Sequence, residues 1–202
     1  MGVADYRLTP VTEENLQPEQ RTVWDELVDG KRGGKSVRDE GFLVGPFDAL
    51  LRSPDVALSA SRLGEVLRFE TELTQREREL AIITVAAHWQ ASFAWLRHEI
   101  YARESGLAAD VIADIAAGRE PAFESDSDRV IYELVSGLVR EGGVSDERYA
   151  AALQLLGGRR LVELVALSGY YCFSSVVLNA FRVPLPDGAS VPWSQKEAQA
   201  RG

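Results

Sequence analysis

This sequence of 202 residues predicts an all-α fold, a bundle of helices joined by short loops. Three observations carry the prediction. Apolar residues recur at helical spacing in segment after segment. Ser, Thr or Pro stands at the head of these segments, and Gly stands at their ends. No stretch of convincing length alternates apolar with polar residues as a half-buried strand does.

PEQRTVWDELVDG opens at Pro18 and stops at Gly30, with Val23, Trp24, Leu27 and Val28 on one stripe. A Gly-rich polar loop, KRGGKSVR (31–38), follows. The next piece, GFLVGPFDALLRSP, is apolar and should lie against the core. Ser53 caps the helix after it and Pro54 takes the first helical position. Thr74 caps RERELAIITVAA, with Glu77 three residues on as a capping box. The clean aliphatic run breaks at HWQAS, where Ser92 reads as the cap of FAWLRHEIYARESG, ended by Gly106. SGLAADVIADIAAG ends at Gly118. Ser125 or Ser127 caps DRVIYELVSGLVREGG, and Ser145 caps DERYAAALQLLGG. The segment 161–181 is long enough to span a bilayer, but Glu163, Asn179 and three serines interrupt it. A buried core helix is expected there, and no membrane contact.

One domain is expected over 1–202. Its N-terminal helix and loop, to about residue 46, pack on the core, and about 190–202 form a flexible tail. A register that lays Glu79-Leu80 on Glu163-Leu164 also lays Arg76 on Arg160, which suggests two pseudo-repeated helix units. The alternative is that Arg-x-x-Glu-Leu is a common helix opening. In that register His98 falls on Arg182, so any chemistry built on His98 belongs to one half only.

The apolar share of 46% and charged share of 26% are those of an ordinary globule with a sizeable core. A net charge of −9 argues against a nucleic-acid partner, which needs clustered Lys and Arg. KRGGKSVR is short and Asp39 and Glu40 follow it at once. The one cysteine, Cys172, excludes an intrachain disulfide and any multi-cysteine metal site, and it fits a cytoplasmic location. MGVADYRLTP has neither a basic start nor an apolar run, so it does not read as a signal peptide.

The chemistry-bearing stretch is Arg76–His98. A carboxylate, Glu79, stands near its start, and one of only two histidines closes it. Along one straight helix the two side chains would lie roughly 28 Å apart. A fold-back near Trp89–Ser92 lets them meet in one cleft. Spacing alone leaves a second reading open for each: Glu79 as a first-turn residue favoured by the helix dipole, and His98 as an ordinary half-buried histidine.

Glu-Leu at the head of an apolar helix, then Trp95-x-x-His98, then a helix ending in Gly106-Leu107, resembles the carboxymuconolactone decarboxylase and alkylhydroperoxidase D superfamily. GPFDALLRSP upstream and GYYCFSSVVLNAFRVPLP downstream belong to the resemblance, which covers most of the chain and lies closest to decarboxylase-like members. It implies an all-α fold of helical repeats and a homotrimer or homohexamer. It also implies a proton-relay pair, matched here by Glu79 and His98. The peroxidase branch carries a Cys-x-x-Cys pair where this chain has Ala91 and Ala94. The decarboxylase branch often carries a Glu just ahead of the Trp, where this chain again has Ala94.

Glu79 and His98 are the right types for general acid–base catalysis. Arg76, Arg97 or Arg68 could hold a substrate carboxylate. Trp89, Trp95 and Phe93 could wall an apolar pocket, with His88 lining it rather than reacting. Tyr170 and Tyr171 read as packing residues, and Asn179 as an unexplained polar group. Two histidines without a carboxylate at ligand spacing make no metal site, and no cofactor is implied. The expected function is a cofactor-free lyase or isomerase acting on a small carboxylated or lactone substrate. The alternatives are an alkylhydroperoxidase-like protein without the peroxidase cysteines, and a non-catalytic binding or assembly protein on the same scaffold.

Overall fold

The structure, a computed structural model, describes residues 7–30, 37 and 41–193. Among these the regular elements are a short 3-10 helix (Glu13–Asn15) and eight α-helices: α1 (Pro18–Asp29), α2 (Phe47–Leu50), α3 (Pro54–Phe69), α4 (Gln75–His88), α5 (Ser92–Glu104), α6 (Ala109–Ala116), α7 (Asp126–Glu141) and α8 (Asp146–Ala180). The extended pairing consists of two isolated bridges, Thr12 with Phe42 and Val37 with Leu43. Most of the loop 31–38 and of the expected tail lies outside the described residues.

Helix α4 is the centre of the bundle. Leu80 through Ala86 are all buried, so the helix is apolar around its whole circumference and packs on α5, α6, α7 and α8 at once. Its start is the capping box read from the sequence. Thr74 Oγ1 accepts from the Glu77 amide, and Glu77 Oε2 accepts from the Thr74 amide. Glu77 also pairs with Arg160, which ties the head of α4 to α8. The first helix places Val23, Trp24 and Leu27 in the core and packs on α3. The piece around α2 buries Phe42, Leu43, Phe47 and Leu51 as expected.

The turn between α4 and α5 has a physical cause. Trp89 ends α4, and Gln90 takes a left-handed conformation at φ 47°. The Gln90 amide then donates to Ala87 O, and the Ala91 amide to Ala86 O, which is the Schellman closure of a helix. The side-chain amide of Asn179, at the end of α8, donates to Trp89 O at 2.7 Å and pins this turn. That is the partner of the polar group left unexplained by the sequence. Ser92 is the first residue of α5 rather than its cap; Ala91 holds the cap position and makes no side-chain hydrogen bond.

Ser145 caps α8, which runs on through the expected second helix and breaks only at Gly157, at φ 70° and ψ 170°. Beyond the break its buried stripe is Leu161, Leu164, Leu167, Tyr171, Ser175 and Leu178. Among the described residues α8 alone is long and apolar enough to cross a membrane, and 56% of its apolar window is buried inside the bundle. Glu163, which the repeat register lays on Glu79, accepts from the Glu72 amide and pairs with Arg159. It meets no histidine, so the second unit carries no copy of the pair.

Candidate functional site

The turn at Trp89–Ala91 folds α5 back along α4 and brings Glu79 and His98 together. Nδ1 of His98 lies 2.6 Å from Glu79 Oε2. Both side chains are buried, with 5% of Glu79 and 6% of His98 exposed. On the other side of the ring, Nε2 lies 3.1 Å from the Tyr171 hydroxyl, contributed by α8. The rings of Tyr171 and Tyr101 stand edge-on to the imidazole at 5.0 and 5.9 Å.

Burial holds the His98 pKa below the ordinary histidine value. The Glu79 hydrogen bond and charge pull it up, and the charges of Arg68 and Arg97 push it down further. The ring is therefore neutral near pH 7. A carboxylate only accepts, so the single ring proton sits on Nδ1 and points at Glu79. Nε2 then keeps its lone pair and accepts from the Tyr171 O–H.

His98 and Tyr171 form one wall of a cavity of about 270 Å³. Phe47, Phe69, Phe93 and Tyr170 supply its apolar surface, and Arg68 from α3 and Arg97 from α5 supply positive charge. Neither arginine has a carboxylate partner among the described residues. Arg68 lies over the Phe69 ring, 5.2 Å from its centroid. Gly45 closes one side. Its φ of 67° and its close approach to Phe93 both favour a residue without a side chain, since a Cβ there would sit 3.0 Å from the Phe93 ring. Ala94 contributes a methyl group to the wall, and Cys172 does not line the cavity.

Of the residues singled out in the sequence, Glu79, His98, Arg97, Arg68 and Phe93 converge here, Glu79 through its bond to His98. Four others do not. Arg76 turns to α7, where Nε and Nη2 clamp Asp128 at 3.1 and 2.7 Å, because that buried carboxylate needs a cation. His88 lines a separate cavity with Thr84 and Arg140, and burial and the Arg140 charge both lower its pKa. Trp89 is 39% exposed at the turn, edge-on to His88. Trp95 is core: its indole N–H donates to Glu99 Oε2 at 3.0 Å and its ring meets Trp193 edge-on. The aromatic walls are phenylalanines and tyrosines instead.

Tyr171 is the residue that sequence reasoning missed. A signal was present, because Ser168, Tyr171, Ser174 and Ser175 place polar groups along the buried face of an apolar helix. Polar atoms on a core-facing stripe need partners.

Several solved structures share this arrangement of helices. An uncharacterized peroxidase-related protein from Ralstonia eutropha JMP134, described as an alkylhydroperoxidase AhpD core, superposes with a TM-score of 0.70 at 18% identity, over 91% of this chain and 93% of that one. The fold is the AhpD core fold. A peroxidase-related protein from Silicibacter sp. TM1040 matches with a TM-score of 0.69 at 12% identity, over 91% of this chain and 93% of that one. The debrominase Bmp8, as an alanine-for-cysteine variant in complex with 2,3,4-tribromopyrrole, matches with a TM-score of 0.68 at 11% identity, over 91% and 95%. At these identities the likeness is one of fold. No protein-family model and no curated protein matches the sequence. Within the AhpD core fold, this chain has methyl groups at Ala91 and Ala94 and a buried Glu–His pair beside them.

Proposed function

We propose that this protein is a cofactor-free, decarboxylase-like lyase or isomerase that moves protons on a small carboxylated or lactone substrate. One observation carries the reading. The Glu79–His98 pair is buried against a cavity that also holds two arginines without a carboxylate partner among the described residues. Cations at one wall and a base at another suit an organic anion with an acidic C–H. Arg68 and Arg97 bind its carboxylate and stabilise the enolate that forms when a proton or CO₂ leaves. The aromatic wall lowers the local polarity and strengthens both effects. Glu79 holds the imidazole in one tautomer and stabilises it once it has taken a proton.

The same reading covers the partners. A second copy of this chain packs on the apolar face of α3 and α8, giving a trimer or hexamer, in a cytoplasmic location that suits the lone Cys172. A screen of small carboxylates and lactones tests the function. Turnover should fall by about 10²-fold or more in both Glu79→Gln and His98→Ala. Full turnover in both variants would sink the proposal.

A further inference from the structure

We propose that Tyr171 is a catalytic residue, and that its phenol oxygen rather than the imidazole exchanges the proton with the substrate. The inference rests on the proton-transfer reading above and gives that site its reacting atom. Both nitrogens of His98 are occupied: Nδ1 donates to Glu79 at 2.6 Å, and Nε2 accepts from Tyr171 Oη at 3.1 Å. A substrate in the cavity cannot use Nε2 without displacing that hydroxyl. Tyr171 lines the cavity itself. Its oxygen is thus both the partner of the base and part of a residue that borders the space the substrate fills.

The groups around it suit this role. Arg68 from α3 and Arg97 from α5 face the same cavity, and their positive charge favours a phenolate and an enolate alike. Tyr101 from α5 and Tyr170 from α8 line the same cavity. Glu79 and His98 form the buffer behind the phenol.

The step balances as a two-proton relay. The Tyr171 O–H proton moves to His98 Nε2 while Oη takes a proton from the substrate carbon. The C–H electron pair stays on the substrate as an enolate, held by the arginines. The enzyme then carries a neutral phenol and an imidazolium hydrogen-bonded to Glu79. Reversal at the same or a neighbouring carbon returns the proton to the substrate and the imidazolium proton to Oη, with no oxidant or reductant involved.

Phenylpyruvate is a suitable probe, having an aromatic ring, a carboxylate and one acidic methylene. Its enzyme-dependent exchange in D₂O is followed by proton NMR, with the spontaneous rate subtracted. Exchange by the wild-type protein should fall by about 10²-fold or more in kcat in Tyr171→Phe and in His98→Gln, with KM for Tyr171→Phe little changed. Fluorinated tyrosine placed at 171 keeps the hydroxyl but makes it more acidic, so the alkaline limb of the pH profile should move to lower pH. If Tyr171→Phe does not fold, that fluorinated protein decides the question. Wild-type exchange rates in Tyr171→Phe, or an unmoved alkaline limb, would overturn the role of Tyr171 while leaving the Glu79–His98 reading in place. Absence of exchange in the wild-type protein would remove the proton-transfer reading and this inference with it.

Discussion

At position 98 the burial that lowers the histidine pKa also makes stability depend on pH. A histidine whose folded pKa lies below its unfolded value, about 6.5, binds its proton more readily when unfolded. Its contribution is full above that value and is lost as the pH falls through the window beneath it. His88 acts in the same sense. Denaturant midpoints should therefore drop between pH 7.5 and pH 5.5, and by less in His98→Gln, where one of the two groups no longer titrates. An equal drop in both proteins would assign the effect elsewhere. Removing the ring outright is different in kind. His98→Ala leaves the Glu79 oxygen buried without its hydrogen-bond partner, at a cost of about 1–3 kcal/mol, and Glu79→Gln on that background should recover part of it in urea titrations. Sulfur has no place in this scheme, because Ala91 and Ala94 carry no nucleophile and Cys172 is outside the cavity lining. Turnover should need no reductant and should survive both thiol alkylation and Cys172→Ser. Loss of turnover in a folded Cys172→Ser protein would return the chemistry to the thiol.

Helix starts were legible in the sequence because they are local. The Thr74–Glu77 box, the Ser125 and Ser145 caps and Pro54 at its first turn depend on residues within a few positions of one another. The turn after α4 was half legible. HWQAS marked the break, but a glutamine in a left-handed conformation gives no signal of the kind Gly106 gives at the end of α5. The long-range partners could not be read. Nothing near Arg76 says that Asp128 will claim it, and nothing near Tyr171 says that His98 lies across from it, since the first pairing is set by how α4 packs on α7 and the second by how α5 packs on α8. Gly45 shows the same dependence at the scale of a loop. Its need for a bare Cα comes from Phe93, a residue on α5. Gly45→Ala should cost about 1–2 kcal/mol for the left-handed backbone alone. It should also push the Phe93 ring toward the cavity and weaken binding of phenylpyruvate in calorimetry. Unchanged stability and unchanged binding would mean that the loop adapts and that Gly45 does not shape the site.

At the scale of the molecule, α3 and α8 carry much of the exposed apolar surface of the described residues. Among the described residues, the large exposed apolar side chains other than Trp89 and Ile100 lie on α3 and α8, among them Val56, Leu63 and Phe69 on the first and Val162, Phe173 and Val176 on the second. Val56, Leu63 and Phe173 share one groove between α3 and α8, and a monomer in water seldom keeps such an apolar surface open. A chain of net charge −9 repels its copies elsewhere on its surface, so association concentrates where the charge is lowest. A second copy would present a face of the same apolar character and is the expected partner. The face also bears on the site. Tyr170 lines the cavity beside His98 on one side and the groove between α3 and α8 on the other, where Leu63 and Phe173 flank it. Phe69 is 46% exposed on this face and lines the same cavity. Sedimentation at micromolar concentration should therefore show an assembly of three or six chains. Leu63→Glu and Phe173→Glu should each split it by burying an unpaired charge in the contact. Exchange activity should fall with the splitting, because Tyr170 and Phe69 lose the packing that holds them against the cavity. A wild-type particle of 22.2 kDa would show that no copy covers this face. A split protein with full activity would show that the cavity is complete within one chain.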